Sequence, residues 1–203
     1  MRELREIDVT RDRWLGAAAD VCTAVRAALA PVVAWLLTRP RGGWLAFGLF
    51  GVAVATDFLD GRLARAGGHA TTRGRLLDHG ADVAFLLPAL VVLGRARRIS
   101  LALAPVVALT FGLYVLDGWR RGRATGAIEL APSRSGTAAG LANYAVVGGA
   151  AIAHGLGPSA FDGAVAAAAV ATIAVNAVAT LERLRDLCTD VSRPASPPVL
   201  EDG

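Results

Sequence analysis

The chain has 203 residues, 54% of them hydrophobic, and a mean hydropathy of +0.49. That exceeds the roughly 45–50% apolar share of soluble domains, and no polar linker divides it, so one apolar domain is expected. All 21 basic residues are Arg and the pI is about 10.0. In a chain this apolar, such charge points to anionic lipid at the cytoplasmic face of a membrane and away from nucleic acid. Cys22 and Cys188 lie far apart with no CxxC or Cys/His cluster, so zinc and a disulfide framework find no support.

Residues 1–16 are charged and amphipathic, with Arg2, Arg5, Arg11, Arg13 and Trp14. They predict a helix lying on the membrane surface, and no cleavable signal peptide. Six apolar segments follow: Ala17–Leu37, Trp44–Leu59, Leu76–Leu93, Ile99–Leu116, Gly136–Ala153 and Phe161–Leu181. Turn-like fragments such as T-R-P-R-G-G and H-G-L-G-P-S separate them. The expected fold is an all-α integral membrane protein with six transmembrane helices and an N-terminal interfacial helix, spanning residues 1–190. Residues 191–203 read as a disordered cytoplasmic tail, Pro-rich from Arg193. A soluble helical bundle would need polar outer faces, and Val83–Leu93 and Ala164–Val178 have almost none. Arg39, Arg41, Arg95, Arg97 and Arg98 fall on one side and every other Arg except Arg26 on the opposite side. The excess puts both termini in the cytoplasm.

The informative stretch runs from Asp57 to Asp82 and reads D-x-x-D-G-x-x-A-R-x8-G-x-x-x-D-x-x-x-D. Asp57 and Asp60 are i and i+3, and Asp78 and Asp82 are i and i+4, so each pair occupies one helix face. The short connection between segments lets all four carboxylates converge at the cytoplasmic rim. Carboxylates at membrane depth are costly, and four together repel, which calls for divalent cations. Oxygen-only ligands favour Mg2+ or Mn2+, which would hold a diphosphate for displacement at phosphorus. Gly61, Ala64 and Gly74 keep the surface small for close approach. Arg65 can pair with phosphate oxygens. The linking G-G-H-A-T-T-R offers the hydroxyls of Thr71 and Thr72. Simple ion pairing of these acids with Arg62, Arg65, Arg73 and Arg75 would not require the glycines.

Asp57 to Asp82 resembles the signature of the CDP-alcohol phosphotransferase (CDP-alcohol phosphatidyltransferase) family at every fixed position. The segment D-V-C-T-A-V-R-A-A-L-A-P, with Asp20, Thr23, Arg26 and Pro31, resembles the family region that lies against the CDP group. The resemblance implies six spans and a homodimer. It implies one metal ion on Asp57, Asp60 and Asp78, and a second on Asp57, Asp78 and Asp82. Asp82 would also be the general base on the acceptor hydroxyl, which attacks the β-phosphate so that CMP leaves. Asp20, Thr23, Gly61, Arg65, Thr71 and Gly74 would line the donor site.

The expected function is therefore transfer of a phosphatidyl group from CDP-diacylglycerol to a small alcohol such as glycerol phosphate, at the cytoplasmic (inner) membrane. Alternatives are an inositol-phosphate acceptor, or a CDP-aminoalcohol donor with diacylglycerol as acceptor. A cation channel or transporter is the non-enzyme reading, and it predicts acids spread near the bilayer centre. Secondary features are weaker. Arg120 and Arg121 could meet an acceptor phosphate or simply anchor the interface beside Trp119. Ser133–Thr137, S-R-S-G-T, resembles the S-x-x-G-K of phosphatidyl-transferring relatives, with Thr137 in the Lys position and Arg134 as the possible substitute. Gly136 and Gly140 form a G-x-x-x-G that suggests helix packing. His79 reads as a lipid-facing or packing residue, His69 as an exposed loop residue and His154 as structural.

Overall fold

Helices are the only regular elements among the described residues of the computed structural model, which are 21–66, 72–123, 130–157 and 161–191. There are six: α1 Val21–Leu36, α2 Gly43–Ala66, α3 Thr72–Arg95, α4 Leu103–Arg121, α5 Arg134–Leu156 and α6 Asp162–Val191. Ala- and Leu-rich runs propagate the helices, and Pro and Gly at the joints stop them. The turn after α1 carries Pro40 and Gly42. Ser133 caps α5, its Oγ accepting from the Gly136 N–H at 3.1 Å. A Cβ on Gly136 would stand 2.8 Å from that oxygen, so the glycine permits the cap.

Three of the helices are long and apolar enough to cross a membrane: α3, α5 and α6. The apolar parts of α1 and α2 are shorter, Val21–Leu36 and Gly43–Phe58. Helices α2 to α6 each run past an end of their expected segments, furthest in α2, which runs on to Ala66, and in α6, which runs on to Val191. Thr72, expected in a turn, is the first residue of α3. The expected interfacial helix and residues 192–203 of the expected disordered tail lie outside the described residues, and Val191, expected to open that tail, is the last residue of α6.

Helix α5 packs against α2, α3 and α6, while α4 packs on α3 and α6. Small residues allow this, as membrane helix contacts require. A Cβ on Gly43 would sit 2.2 Å from the Gly155 backbone nitrogen, so α2 and the end of α5 meet backbone to backbone. Phe50, Phe85, Leu90, Val147 and Ala151 belong to the core between these helices. At the helix ends away from Asp57 and Asp78, His154 ties three turns together. Its Nε2 donates to the Arg39 carbonyl at 2.6 Å, and its Nδ1 accepts from Arg98 Nη1 at 2.7 Å. Arg98 also faces Asp162 at 3.7 Å. The structural role expected for His154 is what the fold displays.

Candidate active site

Four helices deliver one polar group or more each to a common point. Asp57 comes from α2, Asp78 and Asp82 from α3, Arg26 from α1 and Tyr144 from α5. The two α3 acids share a face because they are four residues apart. Arg26 Nη1 donates to Asp57 Oδ1 at 2.5 Å and to Asp82 Oδ1, and its Nη2 donates to Asp78 Oδ1 at 3.5 Å. The Arg26 side chain is 0% exposed, against 41%, 37% and 23% for Asp57, Asp78 and Asp82. A buried guanidinium thus sits beneath three carboxylates whose other faces meet solvent. Tyr144 Oη donates to Asp82 Oδ1 at 2.7 Å. Its ring packs on Phe50 and Phe85, with centroids 5.8 and 6.4 Å away. Gly148 makes room for this cluster, since a Cβ there would lie 2.9 Å from Phe50 Cε1.

Asp82 also lines a chamber of about 380 Å³ between α3, α4, α5 and α6. Its walls are mainly apolar, from residues such as Val83, Leu86, Val107 and Phe111. Polar groups among them include Thr110, Tyr114 and Tyr144, Asn143 and Asn176 at depth, Ser133 and Thr137 toward the start of α5, and Arg183. Asn176 Nδ2 donates to Asn143 Oδ1 at 3.0 Å, which satisfies a buried amide pair. Gly136 and Gly140 face this chamber, and among the described residues nothing lies within 4 Å of a Cβ on Gly140. Gly136 thus permits the α5 cap, and both glycines line the cavity. His79 lines the same chamber and stacks on Tyr114 at 5.4 Å, in line with its expected packing role.

Beyond the chamber, Asp117 is 1% exposed and holds two arginines. Arg183 Nη1 donates to Asp117 Oδ2 at 2.7 Å, and Arg121 Nε donates to Oδ1 at 3.0 Å. Arg183 Nη2 donates to the Ala131 carbonyl at 2.8 Å. This cluster fastens α4, α6 and the segment before α5. Arg121 is thereby engaged with Asp117 and with Asp186 at 3.7 Å. Arg120 and Arg134 are exposed and do not line the chamber.

A sequence model of the family described as CDP-alcohol phosphatidyltransferase matches residues 17–180. The chain belongs to the CDP-alcohol phosphatidyltransferase family. It is 37% identical over 97 residues, 44% of this chain and 43% of the relative, to cardiolipin synthase (CMP-forming) of Streptomyces coelicolor. It is 34% identical over 105 residues, 50% of this chain and 48% of the relative, to CDP-diacylglycerol–glycerol-3-phosphate 3-phosphatidyltransferase of Cereibacter sphaeroides. The matched stretch spans just under half of each relative.

Of the residues expected to form a phosphatidyltransferase site, the structure brings Asp57, Asp78 and Asp82 together. Thr23 lies on α1, one turn before Arg26. Gly61, Ala64, Arg65 and Gly74 fall within α2 and α3, but their side-chain surroundings, like those of Asp60, lie outside the described residues. Asp20, His69 and Thr71 lie outside them altogether. Among the described residues, no three acidic, His or Cys side chains close on one point as metal ligands. Asp57 and Asp82 meet Arg26 at Nη1, and Asp78 meets it at Nη2. The donor set still suits a hard divalent cation, since all three groups are carboxylate oxygens that reach one cationic centre. Sequence reasoning missed Tyr144, Asp117 and Arg183 as partners. It placed Arg26 only in the donor region, although a lone charge in an apolar helix has to find an acid.

Proposed function

We propose that this protein transfers a phosphatidyl group from CDP-diacylglycerol to an alcohol, releasing CMP, with glycerol phosphate as the first acceptor to test. The observation that carries this is the convergence of Asp57, Asp78 and Asp82 on one cationic centre at the edge of a chamber that Asp82 itself lines. Asp57, Asp78 and Asp82, with Asp60, would hold two Mg2+ or Mn2+ ions. Bound there, the ions supply charge that offsets the diphosphate and the leaving CMP. Asp82 takes the proton of the acceptor hydroxyl as its oxygen attacks the β-phosphorus, and the bond to CMP breaks. The Tyr144 hydroxyl donates to Asp82 Oδ1, which leaves Oδ2 as the oxygen for the proton. Asp20, Thr23, Gly61, Arg65, Thr71 and Gly74 are the proposed donor contacts. We place six spans in the cytoplasmic membrane, with the carboxylates on the cytoplasmic side and a homodimer as the assembly.

A second acceptor class has an observation in its favour. The chamber walls are mostly apolar, and Arg183, the cation that lines it, is bound to Asp117 and a carbonyl. That lining suits a hydroxyl carried by a lipid, and one of the relatives is named a cardiolipin synthase. A cation channel is disfavoured, because a buried guanidinium fills the centre of the acidic cluster.

The test is CMP release by the purified chain from CDP-diacylglycerol with Mg2+ or Mn2+. Glycerol phosphate, inositol phosphate and phosphatidylglycerol are supplied separately as acceptors, and CDP-aminoalcohols with diacylglycerol form a further arm. Release with one acceptor assigns the class. No release from any CDP-alcohol overturns the enzyme reading.

A further inference from the structure

Arg26 is the only charged residue of α1 as described, and it is wholly buried. A guanidinium in such a place is costly unless anions satisfy it. Its pairing is uneven. Nη1 serves both Asp57 and Asp82, Nη2 reaches Asp78 at the long distance of 3.5 Å, and Nε is buried with no hydrogen-bond partner. An Arg acting purely as a clamp would engage one carboxylate with two parallel N–H groups. Here two terminal nitrogens are shared by three carboxylates from two helices, while a third N–H is left over.

We propose that Arg26 is the resident counter-cation of the acidic cluster. It holds Asp57, Asp78 and Asp82 together before a divalent ion arrives, and it withdraws from them as the ion binds. Metal binding is then an exchange of one cation for another. The inference rests on the divalent-ion reading given above. Its consequence separates it from a merely structural role. Removing a structural clamp would lower stability and weaken ion binding together. Removing a competing cation lowers the stability of the metal-free protein, because three carboxylates are left to repel, but it tightens ion binding.

The experiment compares the purified full chain with its Arg26→Gln and Arg26→Lys variants in micelles. Mn2+ binding is followed by the EPR signal of the free ion, and thermal unfolding is measured in EDTA and in Mn2+. Arg26→Gln is expected to bind Mn2+ about tenfold more tightly or better, since one like charge beside the ion is gone. It should unfold at lower temperature in EDTA and regain more from Mn2+ than the wild type does. Arg26→Lys, which keeps the charge but not the fork, should fall between. Unchanged or weaker Mn2+ binding by Arg26→Gln overturns the proposal, as does an unfolding shift no larger than that of the wild type. Failure of the wild type to bind Mn2+ overturns the divalent-ion reading first, and this proposal with it. If Arg26→Gln does not fold, nitrogen-15 spectra of labelled Arg in the wild type decide. The guanidinium signal missing from Arg26→Lys should move on titration with Mg2+, and a signal that stays put at saturation overturns the exchange.

Discussion

Tyr144→Phe removes a single oxygen from the candidate site. The lost contact is a 2.7 Å hydrogen bond to Asp82 Oδ1, while the ring keeps its packing on Phe50 and Phe85. A hydrogen bond to a charged group contributes about 1.5–3 kcal/mol. The Asp82 side chain is 23% exposed, so water replaces part of the lost donor and the lower end of that range, about 1.5–2 kcal/mol, applies. If the bond serves to aim Asp82 at the acceptor hydroxyl, its loss appears in turnover. The expected fall in kcat is about 10–30-fold, with donor KM unchanged within about twofold. Steady-state CMP release from CDP-diacylglycerol in micelles measures both constants. Thermal unfolding should register a loss of no more than about 2 kcal/mol, because the rings remain. A kcat equal to that of the wild type would refute the argument that Tyr144 positions Asp82. A raised donor KM with kcat intact would refute it too, and would move Tyr144 into donor binding.

Asp82→Asn should cut turnover by about 10²–10⁴-fold while calorimetry still detects CDP-alcohol binding; loss of both together would remove the separate base role. Asp117→Asn leaves Arg121 and Arg183 without their shared carboxylate, and should lower unfolding stability by about 3–5 kcal/mol. A change below about 1 kcal/mol in thermal unfolding would mean that the cluster does not fasten α4 to α6. Gly148→Val places a Cβ about 2.9 Å from the Phe50 ring and should cost about 1–3 kcal/mol. Gly140→Ala meets nothing within 4 Å among the described residues and should be neutral or stabilising by up to about 1 kcal/mol. If the two glycine variants destabilise equally, Gly140 packs against a neighbour after all.

The acidic motif was readable because its logic is local. Spacings of three and four residues put carboxylates on one helix face whatever the rest of the chain does, and a short connection pairs the two helices. Asp57, Asp78 and Asp82 meet as that reasoning requires. The partners it missed are the ones set by tertiary packing. Tyr144 lies 62 residues from Asp82, and nothing in its neighbourhood marks it apart from being a polar aromatic in an apolar helix. Asp117 reads as an ordinary residue at a helix end until α6 brings Arg183 against it, 66 residues away. The G-x-x-x-G at Gly136 and Gly140 lines the chamber of the described chain. A small-residue pattern reports that the surface is shallow, and either a helix or a cavity can take up the space. Gly43 and Gly148, which carry no such pattern, are where helices come close.

The arginines near the α3–α4 turn run against the charge bias used to orient the chain, and the fold gives two of the five on that side a different purpose. Arg98 is held by His154 and faces Asp162, so it joins the start of α4 to the end of α5 and the start of α6. Arg39 lies over the Trp35 ring at 4.5 Å, and its carbonyl accepts from His154. Cations satisfied this way are kept for what they bind within the protein, so their presence says little about the lipid surface beside them. On the carboxylate side Arg121 and Arg183 are held by Asp117 and Arg123 lies over the Trp119 ring, so discounting internally bound Arg on both sides leaves the excess there standing. The two ends of the bundle nevertheless do different work. One end is clasped by a His154-centred network that ties turns together. The other holds a cationic centre under solvent-facing carboxylates, where contacts are uneven and one N–H has no partner. An under-satisfied polar cluster beneath solvent-facing carboxylates is the arrangement expected where that end has a ligand to receive.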